Sequence, residues 1–319
     1  MKSLALQNYF DNAQNVFEID LEGLSLLECL EEFQKYKSRS SSEKAAKSYN
    51  CIKMHIMEVE KVYNTKIQPK QITDVFWSYF IPTLVDKKLK PSYIATLCYQ
   101  MRNLLNWCSK HNAAVSPTYG DFKLPQAKIM RLALTADEVS WCYHFDINTI
   151  KCRPQKKKTL EKVRDMFVLS CNLGQRHSDM IRISKDNFDK GIFKITQQKT
   201  GTLAVVDIEK LAIDKKTTYK ILEKYDYEAP YKADISNYEK HLKQLFKAMG
   251  MTEELKCECK VNGVLTVETK KKCDHISAHD SRRTFANINY YRNIPKREVM
   301  EATGHKTESS FNLYCVGEL

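Results

Sequence analysis

Between Lys110 and Leu132 the chain loses all apolar periodicity and carries Pro117, Gly120 and Pro125; no other feature constrains the fold as strongly. Proline removes an amide donor and fixes its own backbone, so neither a helix nor a central strand runs through such a stretch. It parts two patterns. Ahead of it, apolar residues recur at helical spacing. Leu26, Leu27, Leu30 and Phe33 share a face, and Tyr49, Ile52, Ile56, Val59 and Tyr63 form a second stripe after Ser40 to Ser42. Ile94, Leu97, Met101, Leu104 and Leu105 form a third behind Pro91 and Ser92. Residues 1–22 carry little periodic signal and are expected to be a tail.

Behind the interruption helices and strands mix. Thr135 and Glu138 are spaced as a capping box, and a helix is expected over Leu160 to Leu173 with Gly174 as its C-terminal cap. The segments Ile192 to Gln198 and Leu203 to Ile208 alternate as strands around Lys199, Thr200 and Gly201. Tyr238, Leu242, Leu245 and Met249 mark a helix closed by Gly250, and Asn262 with Gly263 signals a hairpin turn. Further helices are expected over Ser281 to Tyr291 and Lys296 to Thr303. The class is mainly α with two small β hairpins, an α+β chain of two domains: 23–112 all helical, 113–132 a linker, and 133–319 mixed.

The 319 residues suit about two domains. The net charge of +12 favours a polyanionic partner, because neutralising phosphates releases condensed counterions. A solvated basic surface would give the same number, so charge alone does not choose. The longest apolar stretch, Val75 to Val85, is too short to span a membrane and contains Pro82. Met1 to Leu6 lacks the sustained apolar region of a secretion signal. Eleven scattered cysteines, an odd number, fit reduced thiols. A cytoplasmic protein without membrane attachment is expected.

Six side chains in the second part form a reagent set for cutting a phosphodiester. Attack on phosphorus concentrates negative charge on the non-bridging oxygens, and fixed cationic donors stabilise it. Arg176 and Arg282 suit that task, since a guanidinium fork engages two oxygens and stays charged. Tyr314, nine residues after His305, is the candidate nucleophile; with an ordinary pKa near ~10 it needs a proton acceptor or cationic surroundings. Lys199, in a tight turn, can protonate a leaving 5′ oxygen. His279, three residues before Arg282, can take the tyrosine proton or bind phosphate, and His305 after Gly304 can donate to a phosphate oxygen. Each alone has a bland alternative: a surface or ion-paired arginine, a hairpin-tip lysine, a satisfied histidine, or one of 17 tyrosines.

Taken in this order and spacing, Arg176, Lys199, His279, Arg282, His305 and Tyr314 closely resemble the R…K…HxxR…H…Y signature of the tyrosine recombinase (phage integrase) family. The resemblance runs from about Leu24 to the end. Asp179, three after the first arginine, matches an acidic residue that braces the site, and Arg283 to Ala286 match the usual continuation. The segment Glu268 to Ser277 resembles recombinases of Bacteroides-type mobile elements. The resemblance implies a core-binding (SAM-like) first domain and a catalytic second domain. It implies a site-specific recombinase working through a 3′-phosphotyrosine, without cofactor or metal. Its expected partners are double-stranded DNA with inverted-repeat core sites, a homotetramer on synapsed DNA, and accessory DNA-bending proteins. Integration, excision or inversion of a DNA segment is the expected output.

There are departures. Ser281 replaces the usual leucine, which should alter packing rather than chemistry. Five residues follow Tyr314, where many relatives continue into a helix that docks on a neighbouring subunit; that device is expected to be supplied elsewhere, shortened or lost by truncation. The N-terminal tail looks too short for a separate arm-site domain. Two other readings stay open: a noncatalytic DNA-binding protein on the same fold, and a type IB topoisomerase-like relaxer. Cys257, Cys259, Cys273 and His275 lack a common zinc-finger spacing, and ordinary hairpin cysteines are the simpler reading.

Overall fold

The computed structural model describes residues 19–121, 131–261 and 264–315, without the side chains of 257–268. The chain splits into two compact units, Met1–Ile129 with Glu258–Val267, and Met130–Cys257 with Glu268–Leu319. Among the described residues no helix is long and apolar enough to cross a membrane.

The first unit is helical: α1 (Leu26–Ser40), α2 (Glu43–Lys47), α3 (Asn50–Tyr63), α4 (Asp74–Asp86) and α5 (Pro91–Cys108). Ser25 and Glu28 cap α1 reciprocally, satisfying two amides that would otherwise lack partners. Leu26, Leu30 and Phe33 are buried as expected, but Cys29 rather than Leu27 completes the inward face. The second stripe is likewise trimmed. Ile52 and Ile56 are buried, while Tyr63 is 69% exposed. A short α2, capped by Ser42, comes between the serine cluster and that helix.

Helix α4 was not apparent from the sequence. It is apolar on most sides and holds Pro82, so it shows no clear stripe, and the proline argued against it. Thr73 nevertheless caps it, and Trp77, Phe80, Ile81 and Leu84 fill the core. Leu21, within the expected tail, is also fully buried there. The expected linker is divided: Ala113, Val115 and Tyr119 join the first core, and Leu132 joins the second. Residues 122–130 lie outside the described residues.

The second unit is built around α7 (Pro154–Leu173), whose every residue from Met166 to Leu173 is buried. Packing on all sides explains why it lacks a simple stripe. Thr135 caps α6 (Ala136–His144) with the expected reciprocal box. A short α8 (His177–Met180) follows Gly174. The sheet then runs β1 (Phe188–Asp189), β2 (Ile192–Thr196) and β3 (Leu203–Asp207), all antiparallel. It has three strands rather than the expected two, because Phe188 and Asp189 pair back onto Phe193 and Ile192. Phe193, Ile195, Ala204 and Val206 face the core.

Helices α9 (Ile208–Leu211), α10 (Lys215–Lys224) and α11 (Ile235–Ala248) lead to the paired strands β4 (Glu254–Val261) and β5 (Val264–Lys271). Asn262 and Gly263, the expected turn, lie outside the described residues. After α12 (Lys272–His275) come α13 (Ala278–Tyr291), packed on α7, then α14 (Lys296–Thr303) and α15 (Glu308–Asn312). The described cysteine side chains are free thiols. Cys273 is buried, and the side chains of Cys257 and Cys259 lie outside the described residues.

Candidate active site

Each candidate side chain sits at the end of an element, where the local sequence fixes the backbone. Gly174 ends α7 in the left-handed conformation, φ 66°. A β-carbon there would collide with the Phe285 ring on α13, so both the turn and the packing require glycine. Arg176 comes two residues later, after Gln175, and opens α8. His279 and Arg282 lie on the first turns of α13, three residues apart and therefore on one side. Ser277 and Asp280 cap that helix. Gly304, φ 64°, ends α14 and leads into His305. Tyr314 follows α15, its amide bonded to the Phe311 carbonyl.

These elements bring four of the side chains into direct contact. His279 Nε2 lies 2.6 Å from the Tyr314 hydroxyl. The His305 ring centroid is 4.5 Å from that of Tyr314. The Arg282 guanidinium carbon stands 5.8 Å over the same phenol ring.

Arg282 is completely buried. Its Nη1 donates to the Gly174 carbonyl at 3.0 Å and its Nη2 donates to the Thr303 carbonyl. Its Nε is buried without a hydrogen-bond partner. A buried arginine is ordinarily matched by an acid. Among the described residues no carboxylate lies within ion-pairing distance of Arg282, which contradicts the bland reading of an ion-paired arginine. Burial and the Arg176 charge lower its pKa to about 10, so it stays cationic at neutral pH. Two of its five N–H groups serve the carbonyls, and the Tyr314 side chain is a further partner of the guanidinium.

Arg176 is half-buried and donates from Nη1 to Gln197 Oε1 at 2.5 Å. Asp179 is buried, and its Oδ1 accepts from the Gln198 amide at 2.8 Å and from Arg182 Nη2 at 2.9 Å. The acid therefore grips the backbone beside Lys199 and holds that turn in register. Lys199 itself is exposed, in the turn that Gly201 closes onto the Gln197 carbonyl. It touches none of the other five candidates by a hydrogen bond among the described residues.

The charges act on the histidines. Burial first, then Arg283, Arg282, Arg176 and Lys199, pushes the His279 imidazole down to about 4. Burial, Arg282, Arg176 and His279 push His305 down to about 3. Both rings are thus neutral at pH 7. The Thr303 hydroxyl donates to the Val299 carbonyl at 2.6 Å, so it accepts from His305 Nδ1 at 2.7 Å. This fixes the tautomer and leaves His305 Nε2 as a buried lone pair without a partner.

Sequence reasoning missed Gln175, Gln197 and Thr303. Gln175 and Gln197 are buried and bonded to each other, and both reach carbonyls of α14. One sequence signal pointed to Gln197. It continues the inward alternation Phe193, Ile195, Gln197, and a polar side chain on a core-facing register demands partners. Ser281, the departure from the usual leucine, is buried and bonds its hydroxyl to the Ala278 carbonyl within the helix.

No family model matches the sequence, and no curated protein matches it. Solved structures do share its fold. Lambda integrase, residues 75–356, as a dimer bound to a COC′ core site is 17% identical, with a TM-score of 0.67 over 92% of this chain and 96% of that one. The XerH site-specific recombinase in a post-cleavage complex with palindromic difH is 12% identical, with a TM-score of 0.65 over 93% and 95%. The Tn1549 transposon integrase with circular-intermediate DNA is 11% identical, with a TM-score of 0.63 over 92% and 96%. The mainly helical chain with small sheets therefore has the fold seen in tyrosine recombinases.

Proposed function

We propose that this chain is a site-specific DNA recombinase that cuts and rejoins strands through a 3′-phosphotyrosine at Tyr314. One observation carries the reading: the Tyr314 hydroxyl lies 2.6 Å from the neutral His279 ring, beside the buried Arg282 cation, which has no carboxylate at ion-pairing distance among the described residues. A phenol next to a proton acceptor and a fixed cation is an activated nucleophile.

In this reading the Tyr314 oxygen attacks phosphorus as its proton passes to His279 Nε2. Arg176 and Arg282 donate to the non-bridging oxygens, where charge grows. His305 Nε2, a lone pair in the free protein, donates to a phosphate oxygen only when the charge of the bound phosphate raises the ring's pKa enough to protonate it. Lys199 gives a proton to the leaving 5′ oxygen as the P–O5′ bond breaks and the P–O bond to tyrosine forms. The link keeps the bond energy, so a 5′ hydroxyl from a partner strand reverses the step without a cofactor. Two rounds then exchange strands through a Holliday junction.

The DNA-bound neighbours support duplex DNA as the substrate, and their assemblies support action in a multimer on paired sites. Asp179 is a positioning residue for the Lys199 turn. Inverted-repeat core sites, a tetramer on synapsed DNA in the cytoplasm, accessory bending proteins, and integration, excision or inversion of a Bacteroides-type mobile element complete the proposal. The test is a nicked suicide duplex carrying the DNA that flanks the gene. A denaturant-stable protein–DNA adduct supports the reading. Binding without an adduct would favour a noncatalytic DNA-binding protein, and supercoil relaxation by a monomer would favour a topoisomerase-like relaxer.

A further inference from the structure

We propose that Gln197 is the positioning residue that sets the separation and charge of the two arginines, and that it does so because it is neutral. The inference rests on the phosphodiester-cutting reading of the site. Gln197 is 1% exposed and lies just beyond β2. Its Oε1 accepts from Arg176 Nη1 at 2.5 Å and from Thr200 Oγ1 at 3.2 Å. Its Nε2 donates to Gln175 Oε1 and to the Thr303 carbonyl, both at 2.9 Å. The same Thr303 carbonyl accepts from Arg282 Nη2. One amide therefore joins the two guanidiniums in a line: Arg176, Gln197, the Thr303 carbonyl, Arg282.

All four hydrogen-bonding positions of that amide are filled, and only one orientation fills them. Turned over, it would point Oε1 at two acceptors and Nε2 at a guanidinium. The amide thus cannot rotate without breaking several bonds at once. An aspartate or glutamate would hold Arg176 more tightly, but it would also cancel the charge that a phosphate needs. Glutamine fixes the guanidinium and leaves it cationic.

Two further observations tie the rest of the site to the same residue. The Gln197 backbone accepts from the Gly201 amide and donates to the Thr202 carbonyl, both at 2.9 Å, closing the turn that bears Lys199. A β-carbon at Gly304 would lie 2.5 Å from Gln197 Oε1. The glycine before His305 is thus required by the glutamine as well as by its own φ of 64°. Arg176, Arg282, Lys199 and the approach to His305 share one reference point.

The test compares Gln197→Met, which keeps length and loses the polar atoms, with Gln197→Glu, which keeps shape and adds charge. Displacing a positioned donor by about 1 Å costs on the order of a hundredfold in rate. Both variants should form the covalent adduct roughly ten- to a hundredfold more slowly, with DNA affinity changed less than about threefold. A merely structural residue would not show the next result. In an Arg176→Ala background, Gln197→Met should cost clearly less than it does in the wild type, because the part of its effect that passes through Arg176 is already lost. Wild-type rates in both single variants, or losses that multiply with Arg176→Ala, overturn the proposal. Should Gln197→Met fail to fold, the Gln197→Glu arm and its combination with Arg176→Ala decide alone. A wild-type protein that forms no adduct rejects the recombinase reading instead. The positioning claim then stands or falls on a crystal structure of either variant, where an unmoved Arg176 guanidinium overturns it.

Discussion

His279 Nε2 and the Tyr314 hydroxyl are separated by 2.6 Å, although they stand 35 positions apart in the chain. The contact joins the first turn of α13 to the turn after α15. With the ring neutral at pH 7 and its one proton on Nδ1, Nε2 accepts from the phenol, the tautomer that general-base action requires. Replacing His279 by Gln keeps a polar side chain and removes a base. Single-turnover adduct formation should fall by about a hundredfold or more, the usual worth of a placed general base. An unchanged rate would mean that the tyrosine proton leaves by another route.

The arginines are expected to act through geometry as well as charge. Arg176→Lys and Arg282→Lys retain a cation and lose the fork. Donors aimed at developing charge are worth roughly 3 kcal/mol each, so cleavage should drop about a hundredfold in either variant. Arg282→Lys should also lower the melting temperature, since a lysine cannot reach both the Gly174 and Thr303 carbonyls. Near-normal cleavage in both variants would remove these residues from the phosphate.

How far the sequence disclosed this site depends on the kind of contact. The caps were legible because they are local: Thr135 with Glu138, Gly174, and the Gly304–His305 step all follow from neighbouring residues. The candidate set was legible from residue types and order. That five of the six converge around one phenol and one amide was not, because the contacts join α7, α8, α13 and α14 across the fold. Helix α4 was obscured by its apolar run and Pro82. The Gln175–Gln197 pair was obscured because a glutamine outside any motif says nothing about its partner.

Lys199 is exposed on a turn that Asp179 holds through the Gln198 amide. As the donor to the leaving oxygen, it should become dispensable when that oxygen no longer needs a proton. Lys199→Ala should be slow on ordinary DNA and close to wild type on a substrate with sulfur at the 5′-bridging position. Equal slowing on both would assign the lysine to phosphate binding instead.

The depressed histidines give a pH signature. An unfolded histidine titrates near ~6.5, whereas His279 and His305 are pushed down to about 4 and about 3. Below the unfolded value the unfolded chain therefore binds more protons. The stability these rings contribute is present above about pH 6.5 and is lost as pH falls toward their folded values. Urea midpoints should be level from pH 7 to 8 and decline below 6.5, and His279→Gln with His305→Gln should flatten part of that decline. NMR titration of the free protein checks the cause directly: a value near 6.5 for either ring would contradict the site's electrostatics.

The central claim is the covalent bond at Tyr314. Wild-type protein and Tyr314→Phe should bind a suicide duplex equally, since the change removes only a hydroxyl. After nuclease and protease digestion, mass spectrometry of the wild-type reaction should find a nucleotide joined by its 3′ phosphate to the peptide containing Tyr314, and nothing in the variant. A nucleotide on any other residue, or an adduct formed by Tyr314→Phe, would contradict the account.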